Sequence, residues 1–381
     1  MKRRLAILTE IIAPYRIPVL NALVQNPDVD PFVIFLSETD PSLRRWRVYK
    51  DEIRFDYTVL PSWRRRVGKY NVLLNHGLSS VLDRVRPDAI VCGGYSYLSS
   101  WSASVWARRA RIPFLLWCES TLKDQRSGHG VIEFLKRRFV QRCDAFVVPG
   151  KSAGEYLRAL GVRGEIITAP NAVDIDFFSG AAQLSQCGSD PIERFGLPGR
   201  YFLYVGRLVT EKGIFELLDA YAKLDRSLKS AVGLVFVGDG AQKHELMRRI
   251  AVISHAKVRC MDFLQREDLA SVYGHAEALV LPTHSDPWGL VVNEAMACGL
   301  PIITTNAAGC ARDLVEDSVN GFVVRPGDVA GLSSAMSRLA CDARIRQEMS
   351  SSSRERIQGY SPAACASGIA EAAKSLWTAQ A

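Results

Sequence analysis

Two carboxylates, Asp286 and Glu294, lie eight residues apart in a segment that reads HSDPWGLVVNEAMACGLP over residues 284–301. The loop after Asp286 leads into an apolar run typical of a helix, which we expect to begin near Gly289. The first N–H groups and the dipole of such a helix favour a phosphate beside Asp286. The Glu294 carboxylate, on the first turns, can accept hydrogen bonds from two sugar hydroxyls. The segment therefore predicts an anion site flanked by two hydroxyl-binding acids, as a nucleotide-sugar donor requires.

This segment resembles the E-x7-E signature of glycosyltransferase family 4, whose members are retaining enzymes of the GT-B fold. An isolated pair of acids at this spacing is more often a solvated feature of a helix, but the flanking residues match the family as well. Asp286 replaces the first acid of the signature and keeps its charge. The resemblance implies that Asp286 contacts the donor sugar and acts in catalysis, and that Glu294 holds the ribose. The helix start at Trp288, Gly289 and Leu290 is then expected at the donor diphosphate.

A second element, GRLVTEKG at residues 206–213, follows a predicted strand and precedes a predicted helix. Gly206 permits a tight turn at the end of the strand. Arg207 and Lys212 then lie at the carboxyl edge of a sheet, where open α/β folds bind ligands. Two cations at this place stabilise the negative charge of a departing diphosphate without a metal. The element matches the family's G-R-x4-K-G pattern, which implies that Arg207 and Lys212 bind the diphosphate.

Two lesser elements are expected at the same site. Gly238 and Gly240 form a glycine-rich turn between a strand and a helix, which lets the backbone approach the donor. By the resemblance, Phe263 and Leu264 lie where a strand end contacts the nucleobase. Turn chemistry and core packing explain these residues equally well.

The first half of the chain carries weaker candidates for the acceptor side. Tyr15 and Arg16 start a helix after the first strand and are candidate contacts to the acceptor or a phosphate, although they also suit an ordinary helix start. Many family members have a His after the predicted strand at 114–118, and here the first polar residue is Glu119. We expect Glu119 to orient the acceptor hydroxyl or to take its proton. His129, in a glycine loop, is a second candidate.

No cofactor and no metal are expected. Asp174 and Asp176 resemble the D-x-D metal motif of other glycosyltransferases, but their place after Asn171 matches the N-x-V-D linker of family 4 instead. The nine cysteines are scattered without a C-x-x-C pair, which argues for reduced thiols and against a zinc site or a disulfide framework.

Strand-like and helical runs alternate along both halves of the 381 residues, which predicts an α/β protein with parallel sheets. The resemblance implies the GT-B fold, in which two Rossmann-like, doubly wound domains face a cleft. We expect an acceptor-binding domain at 1–178, a linker at 179–195, a nucleotide-sugar-binding domain at 196–358 and a helix at 359–381 that crosses back to the first domain. A further helix is predicted at Leu73–Val85.

The excess positive charge is confined to residues 1–190, which hold 27 Lys and Arg against 19 Asp and Glu, within a net charge of +8 for the whole chain. Tryptophans lie beside two of the basic clusters, at 44–47 and 63–66. This composition suits an anionic lipid surface; it would also suit nucleic acid, or a basic face that only aids solubility. We favour the lipid surface and expect no nucleic-acid partner.

These features together predict a metal-independent, retaining glycosyltransferase. It would move a sugar from a UDP- or GDP-sugar to a hydroxyl acceptor, which we expect to be a lipid-linked or cell-surface glycan intermediate. No uncharged apolar run reaches about 18 residues, so no transmembrane helix is expected. The scattered cysteines fit a cytoplasmic protein, and the basic first half favours peripheral association at the inner face of the plasma membrane. The alternatives are a non-catalytic nucleotide-binding protein and a nucleotide-sugar epimerase of the same fold. The missing G-x-G-x-x-G disfavours a dehydrogenase.

Overall fold

A computed structural model describes residues 2–40, 46–67, 70–124, 130–187, 191–253 and 257–378 of the protein. The chain divides into two compact units. The first comprises Met1–Val173 and Ser361–Ala381, and the second comprises Asp174–Tyr360. Each unit is built on its own parallel sheet with helices between the strands, which confirms the predicted α/β class with two Rossmann-like units.

The described part of the first unit contains the strands β1 (Arg3–Thr9), β2 (Val29–Phe35), β3 (Asp56–Val59), β4 (Ser62–Val67), β5 (Tyr70–Asn75), β6 (Ala89–Cys92), β7 (Phe114–Trp117), β8 (Ala145–Val148) and β9 (Ile166–Thr168). Seven of them form a sheet in the order β3-β2-β1-β6-β7-β8-β9, and β4 pairs with β5 in a hairpin. The strand order reverses between β1 and β6, which in open α/β sheets marks the place where ligands bind.

The helices around this sheet, within the described ranges, are α1 (Ile17–Val24), α2 (Leu78–Val85), α3 (Leu98–Ala110), α4 (Gly130–Val140), α5 (Lys151–Ala159) and α16 (Pro362–Thr378). Successive side chains of a strand point to opposite faces, and both faces are apolar here. Leu5 and Ile7 of β1 pack in one core with α1 and α16, whereas Ala6 and Leu8 pack in another with α2 and α3. Burial on both faces explains why the strands read as continuous apolar runs.

The prediction of a helix over Leu73–Val85 is wrong in its first half. The helix α2 begins at Leu78, and the preceding residues form β5. Leu73 is buried while Leu74 is 39% exposed, which is the two-residue alternation of a strand. Gly77, with a φ of +83°, separates the strand from the helix in a conformation that favours glycine.

The second unit contains β10 (Tyr201–Val205), β11 (Gly233–Val237), β12 (Val258–Met261), β13 (Ala278–Leu281), β14 (Ile302–Thr305) and β15 (Gly321–Val324). Their order in the parallel sheet is β12-β11-β10-β13-β14-β15. The switch point therefore lies between β10 and β13, which are hydrogen-bonded neighbours. The two loops that carry the predicted donor residues begin at these two strand ends.

The helices of the second unit, over its described residues, are α6 (Ile175–Cys187), α7 (Pro191–Phe195), α8 (Ile214–Ala222), α9 (Arg226–Ala231), α10 (Lys243–Ala251), α11 (Arg266–Gly274), α12 (Leu290–Ala297), α13 (Ala311–Leu314), α14 (Val329–Cys341) and α15 (Ala343–Ile357). The segment predicted as a linker, 179–195, is largely helical, since α6 and α7 cover most of it. Phe178 and Ala182 bury the apolar side of α6, and Phe178 packs edge-on against Tyr273 of α11. This packing outweighs the polar composition that suggested a linker.

The helix α16 packs in the first unit although it ends the chain, as predicted. Its Gly368 lies so close to β9 that a Cβ there would be 2.4 Å from the carbonyl oxygen of Thr168. At its other end the indole of Trp377 donates a hydrogen bond to the carbonyl of Asp88 at 3.2 Å. Within the described ranges, no helix is long and apolar enough to cross a membrane. The cysteines whose side chains are described are free thiols.

Substitution of Gly368 by Ala should lower the free energy of unfolding of the first unit by about 1–3 kcal/mol, because the added methyl group forces α16 away from β9. Gly154 in α5 is a matched control, since a Cβ there meets no atom within 4 Å. Gly154→Ala should leave stability unchanged or raise it by about 0.5–1 kcal/mol. Urea denaturation followed by tryptophan fluorescence measures both variants. Equal stability of Gly368→Ala and wild type would show that α16 is not held this closely.

Candidate functional site

The two loops after β10 and β13 are held together by their backbones. In the loop after β13, the backbone N–H of His284 donates a hydrogen bond to the carbonyl oxygen of Glu211 at 2.9 Å. The Thr283 hydroxyl donates a hydrogen bond to the same oxygen at 3.1 Å. Gly213, with a φ of +67°, touches the other loop so closely that a Cβ would lie 2.0 Å from the Pro282 carbonyl oxygen. Only glycine permits this approach, so the two predicted donor elements form one rigid edge.

This edge joins the predicted diphosphate-binding lysine to the predicted sugar-binding acid. The Nζ of Lys212 lies 2.7 Å from Oδ2 of Asp286 and donates a second hydrogen bond to the Ser285 carbonyl at 2.9 Å. The side chains of Lys212 and Asp286 are only 10% and 18% exposed. A pair this buried depends on both partners, because removing one leaves the other charge unpaired in a poorly solvated place.

Arg207 has a different environment from Lys212. Its side chain is 50% exposed, and its guanidinium approaches Glu211 only to 3.9 Å. The Tyr204 hydroxyl donates to the Arg207 carbonyl at 2.8 Å, which holds the backbone of the turn while the side chain extends into solvent. Arg207 also lines an open cavity of ≈ 320 Å³ with Thr210 and Gln242. It is therefore a cation within reach of a ligand in solution.

The glycines Gly206, Gly238 and Gly240 bring two loops into contact. A Cβ on Gly238 would lie 1.9 Å from the carbonyl oxygen of Gly206, and one on Gly240 would lie 2.4 Å from that of Leu208. The Leu208 N–H donates to the Asp239 carbonyl at 2.9 Å. Packing of one loop on the other thus explains why these positions are glycine, whereas a backbone approach to the donor remains a prediction.

The helix α12 begins at Leu290, with Gly289 before it at a φ of +96°. The backbone N–H of Trp288 donates a hydrogen bond to Oδ1 of Asp286 at 3.2 Å. This N–H group is therefore occupied by a protein acceptor. The Trp288 side chain is only 4% exposed, and its Nε1 donates to the buried Asn293 side chain at 2.9 Å. The indole of Trp288 therefore anchors the loop in the core, and the backbone at Gly289 and Leu290 remains the candidate anion site of this helix.

Glu294 lies on the second turn of α12 and is partly buried. The hydroxyl of Tyr273, which is fully buried in α11, donates to its Oε2 at 2.8 Å. Burial raises the pKa of the Glu294 carboxyl to about 7, and the hydrogen bond from Tyr273 acts in the opposite direction. Burial also raises the pKa of Tyr273 well above its ordinary value, so that its phenol remains a donor. One carboxylate oxygen is thus fixed by Tyr273 and the other remains available to a ligand.

The nucleobase candidates follow β12, two strands away from β10 in the sheet. Phe263 is 37% exposed, and Leu264 is partly buried. The Gly238 N–H donates to the Met261 carbonyl at 3.1 Å, which places the end of β12 beside the glycine loop. An exposed aromatic ring at the carboxyl edge of the sheet suits stacking on a base.

The acceptor-side candidates Arg16 and Glu119 meet in the first unit. Arg16 Nη2 lies 3.0 Å from Glu119 Oε1, and the guanidinium covers the ring of Trp117 at 4.2 Å from its centroid. Among the described residues, neither the buried Nη1 of Arg16 nor the buried Nε1 of Trp117 has a hydrogen-bond partner. Tyr15 is next to this group and packs edge-on against Trp46. His129 lies outside the described residues.

Several residues that build these sites belong to no recognisable sequence motif. Tyr273, which is 21 residues before Glu294 in the sequence, donates a hydrogen bond to its carboxylate. Thr283 joins the loops after β10 and β13 through its hydrogen bond to the Glu211 carbonyl. In the first unit, the guanidinium of Arg64 in β4 donates hydrogen bonds to the carboxylates of Glu10 at 3.1 Å and Asp40 at 2.6 Å. These two acids lie in the loops after β1 and β2. A buried tyrosine or an arginine in a basic run carries no local signal of these contacts, which depend on the fold.

Asp174, the first acid of the D-x-D resemblance, has a structural explanation. Asp174 accepts a hydrogen bond from the Phe177 N–H at 2.9 Å, as a residue that caps the start of α6 does. Over the ranges that the structure describes, no three His, Cys, Asp or Glu side chains come together as metal ligands do. The independence of a metal remains a prediction.

Residues 190–356 match the family model of the glycosyl transferases group 1, and residues 21–177 match that of glycosyltransferase family 4. A glycogen synthase of Mycobacterium tuberculosis is 27% identical over 293 residues, which is 71% of this chain and 64% of the relative. The capsular polysaccharide biosynthesis glycosyltransferase CapM of Staphylococcus aureus is 30% identical over 155 residues, which is 41% of this chain and 40% of CapM. Both matches span less than two thirds of the relative's own length.

Among solved structures, HepE of Anabaena in complex with UDP is similar over 99% of this chain and 100% of HepE, with a TM-score of 0.77. The two sequences are 18% identical, so this likeness shows a shared fold alone.

The raised pKa of Glu294 predicts how stability depends on pH. The pKa of Glu294 is about 7 in the folded protein, above its ordinary value of 4.5. The protonated carboxyl therefore favours the folded state fully below pH 4.5, and this contribution to the free energy of unfolding is lost as the pH rises through about 7. From about pH 5 to about pH 8, the free energy of unfolding of the wild type should fall by roughly 2–3 kcal/mol relative to Glu294→Gln. Denaturant titrations across this range measure the difference.

The exposed Glu355 supplies the control for this experiment. Glu355→Gln should follow the wild-type pH dependence. Parallel curves for wild type and Glu294→Gln would contradict the raised pKa of Glu294.

Proposed function

The chain belongs to glycosyltransferase family 4 and has the GT-B fold, and on this premise we propose that it transfers a sugar from a nucleotide-sugar donor to a hydroxyl acceptor. The observation that carries the proposal is the joining of the loops after β10 and β13. This places Arg207, Lys212 and Asp286 at one sheet edge, together with the helix that carries Glu294.

In the proposed donor complex, the exposed guanidinium of Arg207 binds the diphosphate. The N–H groups at Gly289 and Leu290 add the positive end of the α12 dipole. Both groups stabilise the charge that grows on the diphosphate as the bond to the sugar breaks. The exposure of Arg207 supports this role, since the cation needs no rearrangement to meet a ligand.

Lys212 and Asp286 act as a unit in this proposal. Lys212 holds Asp286 through Oδ2, and the N–H of Trp288 holds its Oδ1. A carboxylate oxygen can accept more than one hydrogen bond, so Asp286 retains capacity for sugar hydroxyls. Glu294 binds the ribose with the oxygen that Tyr273 does not use. Phe263 lies at the nucleobase, and Leu264 beside it.

The first unit binds the acceptor in this proposal. The unpartnered, buried nitrogens of Arg16 and Trp117 support it, because each is a donor without an acceptor. Glu119 is fixed by Arg16 and is partly exposed, so its second oxygen is available to an acceptor hydroxyl. We propose that Glu119 orients this hydroxyl and that the leaving phosphate assists attack from the same face, which retains the stereochemistry of the donor.

The similar proteins suggest the substrates to test. HepE was solved with UDP, which makes UDP the first nucleotide to test. CapM acts in capsular polysaccharide biosynthesis, which suggests a lipid-linked or cell-surface glycan as the acceptor. A basic first half of the chain suits the anionic inner face of a plasma membrane, where such an acceptor is presented.

UDP or another nucleoside diphosphate should raise the unfolding temperature of the wild type, because a ligand that binds only the folded state stabilises it by mass action. At about 100 times the Kd the stabilisation is ≈ 2.7 kcal/mol. The shift should persist with excess EDTA and should be lost in Glu294→Ala. A panel of UDP, GDP, ADP and their common sugars in a thermal-shift assay identifies the base. The proposal fails if no nucleotide stabilises the wild type.

Arg207→Ala should weaken UDP binding by roughly tenfold or more, because a charge-assisted contact to the diphosphate is lost. Binding of uridine, which has no phosphate, should be unchanged. Arg248→Ala is the matched control, since Arg248 is 77% exposed on α10 of the same unit and should not affect either ligand. Isothermal titration calorimetry measures all three proteins. An equal loss for UDP and uridine would assign Arg207 a structural role.

A further inference from the structure

Several large apolar side chains that are exposed in the first unit lie on elements that follow the carboxyl ends of its strands. The hairpin of β4 and β5 follows β3, and two of its residues, Trp63 and Leu74, are 53% and 39% exposed to solvent. Leu98, at the start of α3 after β6, is 64% exposed. In α4, which follows β7, Phe134 and Leu135 are 66% and 46% exposed. Large apolar groups in solvent at several neighbouring elements indicate an interaction surface.

The hairpin presents two chemically different faces. Trp63 lies directly opposite Leu74 in the strand register, and both side chains are exposed. The next residue, Arg64, points to the other face, where Glu10 and Asp40 bind its guanidinium. These ion pairs hold the hairpin to the loops after β1 and β2. The tryptophan is therefore presented on an anchored support.

The helix α3 lies between the hairpin and α4. The hydroxyl of Ser99, in its first turn, donates to the Asn75 side chain at the end of β5 at 2.9 Å. Farther along α3, Trp101 packs edge-on against Phe139 of α4 with ring centroids 5.0 Å apart. Leu98 is thus next to the hairpin, and the exposed groups of the hairpin, α3 and α4 belong to successive packed elements.

Basic side chains accompany the exposed apolar groups. Arg65 follows Trp63 on the same strand and is exposed, and Arg137 and Arg138 are exposed one turn after Phe134. Residues 1–190 carry the whole net positive charge of the protein. Exposed aromatic and aliphatic groups beside arginines match the interface of an anionic bilayer, where the ring enters the headgroup region and the cations meet lipid phosphates.

We propose that these exposed groups of the hairpin, the first turn of α3 and α4 form a docking surface for an anionic lipid bilayer. The inference rests on the proposed function, because docking at the carboxyl edge of this sheet brings a lipid-linked acceptor to the unit that carries Glu119. Trp63 and Phe134 enter the headgroup region, and the neighbouring arginines bind anionic lipid. Association is then reversible and sensitive to salt.

Flotation with vesicles of phosphatidylcholine alone, and of phosphatidylcholine with phosphatidylglycerol, tests this surface. The wild type should float with the anionic vesicles at low salt and much less with neutral ones. Trp63→Ala and Phe134→Ala should each reduce the partition coefficient by about tenfold, and the double variant should not float. Removing the charge of Arg137 should reduce partition about fivefold. Met247→Ala is the matched control, since Met247 is 50% exposed in the second unit.

Nucleotide stabilisation of the same variants separates this inference from the proposed function. Trp63→Ala and Phe134→Ala should keep the full thermal shift with UDP. A wild type that binds UDP but does not float, or a double variant that floats like the wild type, overturns the docking surface and leaves the donor site intact. A self-association that depends on Trp63, without flotation, assigns the surface to a second copy of the chain and also overturns the proposal.

Discussion

The ion pair between Lys212 and Asp286 is the interaction on which the joined loops after β10 and β13 depend. It joins two loops that are 74 residues apart in sequence and follow neighbouring strands of one sheet. Both charges are nearly buried, so each compensates the cost of removing the other from water. The close backbone contact at Gly213 makes this geometry possible, since any larger residue would separate the loops. The position of Asp286 is therefore set by the fold before any ligand binds.

The acids of the site are held in different ways. Asp286 is neutralised by a cation, whereas Glu294 is held by the phenol of Tyr273 alone, and burial raises the pKa of its carboxyl to about 7. An uncompensated, partly buried carboxylate costs stability in its charged form. Such a cost is typical of a group kept for binding, because a ligand that donates hydroxyl hydrogens to Glu294 recovers part of it. The protein thus compensates the charges of the two acids of one short motif to different degrees.

Much of the fold could be predicted because its strands are buried on both faces, so the stretch Leu5–Leu8 of β1 and the whole of β10 are continuous apolar runs. The hairpin and α6 could not, because their packing involves distant partners such as Asp40 and Tyr273. The motifs predicted Arg207, Lys212 and Asp286 in loops at strand ends, and in the structure these loops follow the neighbouring strands β10 and β13. The motifs gave no indication that Lys212 is paired and Arg207 is not buried, since pairing depends on how the two loops meet in space.

The contrast between Lys212 and Arg207 assigns different physical roles to two cations of one motif. A buried, paired lysine contributes a fixed geometry, and its charge is largely cancelled by Asp286 at 2.7 Å. A half-exposed arginine keeps its charge available, and its planar fork suits two phosphate oxygens. Substitution of Lys212 would leave Asp286 unpaired and disturb the loop itself, so a loss of binding would not identify a ligand contact. Arg207 is therefore the residue at which the charge of a bound diphosphate can be examined separately from the integrity of the fold.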